Sequence, residues 1–350
     1  RRIQHGATAL KLVSHPYPQY LYDLVQHHDG VIPGDLTYRP GPGDLARIDE
    51  SFRDTTQGDA NEIRYDLSTD SGLTVGAAGT TVPAQGTSTA WVTADPGAKW
   101  VDEASVPDLA EIGPSTSYKP RGATKETWFA PVQHPRLLTD SALVTAPTRF
   151  GNIIAVFGMP GWGDSGGHVG FVFDGGVTVD TSLYQGDHLI GQGGDYVSAD
   201  VAPDPLPYRL VVNTTRNIAD RPYSTRTHTE WGFTSSFTDY TSAIRLPLVQ
   251  LDYAVATDLS GTAHRRTALT ITPSQPAGGP KADSIRTVTV QVSYDDGATW
   301  QNTSPRRLGS AWQTQLKAPA DARYASLRVS ARDTAGNSIK ETVVRAFGLR

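Results

Sequence analysis

Ala325-Ser326-Leu327-Arg328-Val329-Ser330-Ala331-Arg332 alternates without a break between apolar and polar or charged side chains. Side chains on an extended chain point to opposite faces in turn, so a period of two predicts a β-strand with one face in a core and the other in water. The inward set here is Ala325, Leu327, Val329 and Ala331. Val288, Val290, Val292 and Tyr294 repeat the pattern against Thr287, Thr289, Gln291 and Ser293. So do Thr227, Thr229, Trp231 and Phe233 against Arg226, His228 and Glu230. Asp295-Asp296-Gly297 and Ala335-Gly336-Asn337 supply the turn chemistry for antiparallel returns between such strands.

Working outward, short runs of this kind recur at 150–157, 169–173, 178–184 and 207–213, punctuated by Gly, Pro, Asn and Asp. No long amphipathic helix interrupts them. The predicted fold class is all-β, as tandem β-sandwich modules, jelly-roll-like or immunoglobulin-like, the C-terminal one resembling immunoglobulin or fibronectin-III sandwiches. Three modules are expected: 1–140, holding the turns Pro40-Gly41-Pro42-Gly43 and Gly76-Ala77-Ala78-Gly79, then 141–245, then 246–350 with a break at Pro273–Pro280. The first two could equally form one larger sandwich, since nothing between 120 and 145 reads as a flexible linker. The C-terminal module is expected to fold independently. Trp91 and Trp100, on either side of Gly97, read as the paired aromatics of a hairpin. Gln185-Gly186-Asp187 reads as a turn between two strands.

Composition agrees with that class and excludes others. The 350 residues include 34 glycines and 24 prolines, with 19% charged residues and one Met. A net charge of −5 excludes attachment to nucleic acid or an anionic membrane by global charge. No window approaches the roughly 18 consecutive apolar residues of a membrane helix. The absence of cysteine excludes disulfides, thiolate metal sites and a cysteine nucleophile. The chain opens Arg1-Arg2-Ile3, without Met or signal peptide, and is expected to begin inside a longer product.

Gly163-Asp164-Ser165-Gly166-Gly167 matches the nucleophile loop of chymotrypsin-like proteases, in which Ser165 would attack a carbonyl beside an oxyanion hole of backbone N–H groups. His28, 137 residues upstream, and Asp66 are the positions a general base and its orienting acid would take. Their surroundings do not fit: no small-residue run precedes His28, and Asp66 opens no aliphatic run. Gly-Asp-Ser-Gly is also ordinary turn chemistry, and a loop is the expected role.

A wider window carries a different resemblance. Gly167-His168-Val169-Gly170, Asp180–Gly191 and Tyr208-Arg209-Leu210 form one ordered pattern, continued by Asn213-Thr214-Thr215-Arg216 and Ser224–Trp231. Tyr22-Asp23-Leu24-Val25, Leu36-Thr37-Tyr38, Trp91-Val92-Thr93-Ala94 and Lys99-Trp100 belong to it, as do Leu327–Ala331, Asp333–Ser338 and Arg345–Arg350. Over most of residues 20–350 this resembles the C-terminal, non-catalytic region of the large secreted subtilisin-like serine proteases of actinobacteria. The Asp, His and Ser motifs of a subtilisin catalytic domain do not occur; the one Met, Met159, lies in Gly158-Met159-Pro160. The resemblance therefore implies an extracellular accessory region whose partner is the catalytic domain or chain of the same precursor, or a protein or polysaccharide substrate, with no catalytic residue, metal or cofactor of its own.

Two further features are expected to be structural. Ser293–Trp300 resembles an Asp-box hairpin, with a capping Asp and a Trp packed beneath. The nine histidines are adjacent at 27 and 28 and otherwise scattered, and Asp333 with Asn337 offers too few carboxylates for Ca²⁺. The seven Trp and fourteen Tyr leave a second function class, a carbohydrate- or surface-binding sandwich, to be decided by whether Trp91, Trp162 and Trp231 are exposed.

Overall fold

A computed structural model describes residues 17, 20–26, 34–35, 37–56, 58–67, 74–76, 79–95, 97–138, 144–173, 176–275 and 284–350. The chain is all-β: the described residues contain strands, turns and loops and no helix. In chain order the strands are β1 (Leu21–Asp23), β2 (Leu45–Arg53), β3 (Asp59–Leu67), β4 (Thr74–Gly76), β5 (Thr80–Pro83), β6 (Gln85–Thr93), β7 (Trp100–Val106), β8 (Leu109–Ile112) and β9 (Ala123–Trp128). They continue as β10 (Thr148–Phe150), β11 (Ile153–Val156), β12 (Val169–Val172), β13 (Val177–Gln185), β14 (His188–Gly193), β15 (Val197–Asp200), β16 (Leu206–Arg216), β17 (Arg226–Ser235) and β18 (Ile244–Arg245). The last are β19 (Gln250–Val255), β20 (Thr262–Ala263), β21 (Arg266–Ser274), β22 (Ile285–Ser293), β23 (Gln301–Asn302), β24 (Arg306–Leu308), β25 (Ala311–Lys317), β26 (Tyr324–Asp333) and β27 (Ser338–Leu349).

The N-terminal sandwich packs the sheet β1-β6-β2-β9 on the sheet β12-β8-β7-β3-β4, with β5 also paired to β3. A nine-stranded sheet, β14-β13-β16-β17-β27-β26-β22-β23 with β20 beside β27, forms the back of the rest. Two smaller sheets lie on it. The sheet β15-β11-β10-β18 packs through Ile154, Val156 and Val197 on Leu183, Leu210 and Phe233. The sheet β19-β21-β25-β24 packs through Leu269, Ile271 and Leu316 on Val290, Val292 and Val329. That second pairing has the order of an immunoglobulin sandwich, A-B-E-D facing C′-C-F-G, with β27 as strand G. Two alternating runs bury the expected face, Thr227, Thr229, Trp231 and Phe233 in one and Ala325, Leu327, Val329 and Ala331 in the other; in the third, Val290 and Val292 are buried while Val288 and Tyr294 are half-buried.

Some expectations are corrected. Residues 150–157 are not one strand; Gly151, at φ +57°, turns the chain between β10 and β11. Trp91 and Trp100 do not pair across a hairpin, because β6 and β7 belong to opposite sheets. Trp100 is buried between them, and its indole N–H donates to the Thr93 carbonyl at 3.0 Å. Sheet hydrogen bonds run between strands on either side of 140/141 and of 245/246. Strand β8 pairs with β12 across 140/141, and β17 pairs with β27 over seven residues across 245/246. The physical reason is that an edge strand leaves a row of N–H and C=O groups without partners, and the free edge of β27 meets that of β17.

Candidate functional site

The Gly163–Gly167 loop is organised by one carboxylate. Oδ1 of Asp164 accepts the backbone N–H of Gly166 at 2.9 Å and of His168 at 3.1 Å, and faces His168 Nδ1 at 2.9 Å. Its Oδ2 accepts the Ala130 N–H at 3.2 Å. Burial pulls this carboxyl up, but the facing His168 ring and these donors outweigh it and hold the group below its ordinary value. The loop lies tight on β9: a side chain on Gly166 would meet the Thr127 carbonyl oxygen at 2.0 Å, and Gly167 sits at φ +104°. The Ser165 hydroxyl donates to the Pro131 carbonyl at 2.7 Å, and among the described residues no histidine bonds it. His28 lies outside the described residues. Asp66 is buried on β3, in the N-terminal sandwich. The serine is therefore engaged as a loop fastener.

Beneath the loop runs a buried polar string that hydropathy did not reveal. Trp128 stacks on the His168 ring, with centroids 3.7 Å apart. Glu111 accepts the Phe129 N–H at 2.7 Å and the Gln133 amide at 3.3 Å. Burial, then the Asp164 charge, pushes the Glu111 carboxyl well above its ordinary range. Glu111, Asp164 and His168 place one ligand-type atom each within 4.8 Å of one another. Here they form a hydrogen-bonded cluster, in which Asp164 Oδ1 is fully engaged by two N–H groups and the His168 ring.

Within the N-terminal sandwich, Arg64 is enclosed by carboxylates from four strands. Its guanidinium donates to Asp23 at 2.5 Å, Glu50 at 2.9 Å, Glu62 at 2.6 Å and Asp102 at 2.7 Å, and all five side chains are buried. Glu50 and Glu62 share one nitrogen, Nη2. Tyr118 bonds Asp102 at 3.1 Å and Glu126 at 2.9 Å. This ionic layer separates two apolar clusters, one around Phe52, Leu109 and Trp128 and the other around Ile48, Val92 and Trp100.

A second set of buried polar contacts joins the sandwiches. The Glu341 carboxylate, on β27, accepts the Tyr253 hydroxyl at 2.7 Å and the Thr229 hydroxyl at 2.9 Å, with His134 Nδ1 at 3.2 Å. Backbone bonds in both directions join His134 to Gly163. Arg136 bonds the Gly167 carbonyl at 2.7 Å and Asp252 at 2.9 Å. Segment 129–138 is thus the seam on which all three parts converge.

The remaining sequence features take structural positions. Trp162 and Trp231 are fully buried, and Trp91 is half-buried against Tyr22. Gly186 makes the β13–β14 turn at φ +60°. Asp295 caps the Asp-box-like turn, accepting from Ser293 and Thr299, but Trp300 is only half-buried, with Arg328 stacked 4.1 Å from its ring. Both oxygens of Asp333 accept from Asn337, an ordinary turn bond.

No family model matches the chain, and no curated protein matches it. Among solved structures, the fibronectin domains FN1–FN3 of chicken CNTN1 align at 12% identity over 83% of this chain and 91% of that one, with a TM-score of 0.17. The Dpr2 Ig1–Ig2 structure in complex with DIP-Theta Ig1–Ig3 aligns at 8% identity over 82% and 88%, also with a TM-score of 0.17. Scores that low describe no shared arrangement, and the sandwich assignment rests on the strand order itself.

Proposed function

We propose that these residues form the non-catalytic C-terminal region of a secreted subtilisin-like serine endopeptidase, docking on or stabilising its catalytic part. The observation that carries the reading is the state of the Gly163–Gly167 loop. Its serine hydroxyl is committed to the Pro131 carbonyl and its aspartate to backbone N–H groups, so the catalytic-looking string serves the scaffold. The ordered resemblance across residues 20–350 supports the same role. Two measurements test it. A fluorophosphonate probe should leave Ser165 unlabelled, and stoichiometric labelling there would overturn the reading. The chain mixed at micromolar concentration with the catalytic chain of its precursor should elute as one complex and raise that chain's melting temperature. Two separate peaks, with the protease equally stable alone, would refute docking.

One observation favours a second reading, a surface- or carbohydrate-binding sandwich. Phe150, Phe237 and Tyr240 stay exposed, with both Phe rings packed edge to face on Tyr240 at centroid distances of 5.6 Å. Retention on an insoluble polysaccharide, lost in Tyr240→Ala, would support that role over docking.

A further inference from the structure

We infer that the ionic layer of the N-terminal sandwich is a proton-binding site that is loaded at neutral pH, with one proton held between Glu50 and Glu62. Alkaline pH then unlocks this sandwich. The inference stands independently of the proposed accessory role.

Counting charges gives the first reason. Asp23 on β1, Glu50 on β2, Glu62 on β3 and Asp102 on β7 bond a single guanidinium, that of Arg64 on β3, and Glu126 on β9 lies within reach of its charge. The other titratable groups facing them are the neutral Tyr118 phenol and, beside Glu126, the His168 ring, which is itself paired with Asp164. Five ionised carboxylates around one cation would leave four negative charges in a largely dry interior. Buried groups in that position take up protons instead.

Geometry locates the proton. Arg64 Nη2 donates to Oε1 of both Glu50 and Glu62, which makes the two carboxyls neighbours. Oε2 of each is buried and receives no donor among the described residues. Two neighbouring buried carboxyls are relieved together when one of them carries a hydrogen, because O–H then donates to O⁻ of the other in a short charge-assisted bond. The same logic applies to Glu126, whose Oε2 is also buried without a donor. The direction of titration agrees. Burial, then the neighbouring Glu62 charge, pushes Glu50 well above the carboxylate range, and burial raises Glu62 against the pull of Arg64. Burial, then the Asp102 charge, brings Glu126 to about 7.

The linkage sign follows. A carboxyl that binds its proton more tightly in the folded state favours folding at low pH, and that advantage is lost as pH rises through its folded value. Each such proton changes the folding constant about tenfold per pH unit within the window.

The test compares the full chain with Glu50→Gln, whose amide is a fixed donor in place of the proton, by unfolding at pH values from about 5 to about 9. The wild type should lose stability as pH rises. Glu50→Gln should flatten that slope by about one proton, tenfold per pH unit, and match or exceed the wild type at the alkaline end. An unchanged slope would overturn the inference. A second readout needs no variant: the infrared spectrum of the wild type at about pH 7 should contain the C=O stretch of a buried protonated carboxyl. Its absence would overturn the inference even if Glu50→Gln did not fold.

Discussion

Replacing Arg64 by Met removes the one cation of the ionic layer while keeping most of its volume. Four charge-assisted bonds at 2.5–2.9 Å disappear, and Asp23, Glu50, Glu62 and Asp102 remain buried. Breaking a single buried ion pair by removing one partner costs about 3–5 kcal/mol, because the other charge is left uncompensated. Four carboxylates can shed part of that cost by taking protons, so the loss near neutral pH should lie in the same range of about 3–5 kcal/mol, not at four times it. The loss should shrink as pH falls, since acid supplies the protons that the missing guanidinium no longer renders unnecessary. Trp100 and Trp128 lie in the apolar clusters on either side of the layer, so tryptophan fluorescence during urea unfolding reports this sandwich. A loss below about 1 kcal/mol, or one that stays constant between about pH 5 and pH 8, would refute the electrostatic account.

Other outcomes follow from single contacts. Ser165→Ala should leave probe reactivity unchanged and cost about 1 kcal/mol in a thermal melt, the value of one hydrogen bond to the Pro131 carbonyl. Glu341→Ala should cost about 2–4 kcal/mol by urea unfolding, because the Tyr253 and Thr229 hydroxyls lose a buried acceptor together. Trp231→Ala should cost about 3–5 kcal/mol, since the ring is fully buried, and Trp300→Ala only about 1–2 kcal/mol, since its ring is half-exposed beneath Arg328. Bonds from Ser293, then Thr299, lower Asp295 to about 2, so its NMR titration should have its midpoint there and move toward 3.8 in Thr299→Val. Its contribution to stability is lost as pH falls through that value.

What the sequence by itself determined is local. The period of two, the turn residues and the lack of any helical run settle the all-β class, the inward faces of β17, β22 and β26, and the returns at Gly186 and Gly297. These depend on side chains a few residues apart, which the sequence lists side by side. Strand β3 marks the limit. Its most apolar set, Ile63, Tyr65 and Leu67, is only half-buried, while Ala60, Glu62, Arg64 and Asp66 are buried. Hydropathy alone selects the opposite face, because the carboxylates that make Arg64 an interior residue arrive from β1, β2 and β7, up to 41 residues away. The Gly163–Gly167 string is ambiguous for the same reason: whether Ser165 meets a base or a carbonyl depends on where segment 129–138 crosses it. The joining of β17 to β27 likewise has no local signature, since an edge strand's backbone groups accept any extended partner that the tertiary packing brings alongside.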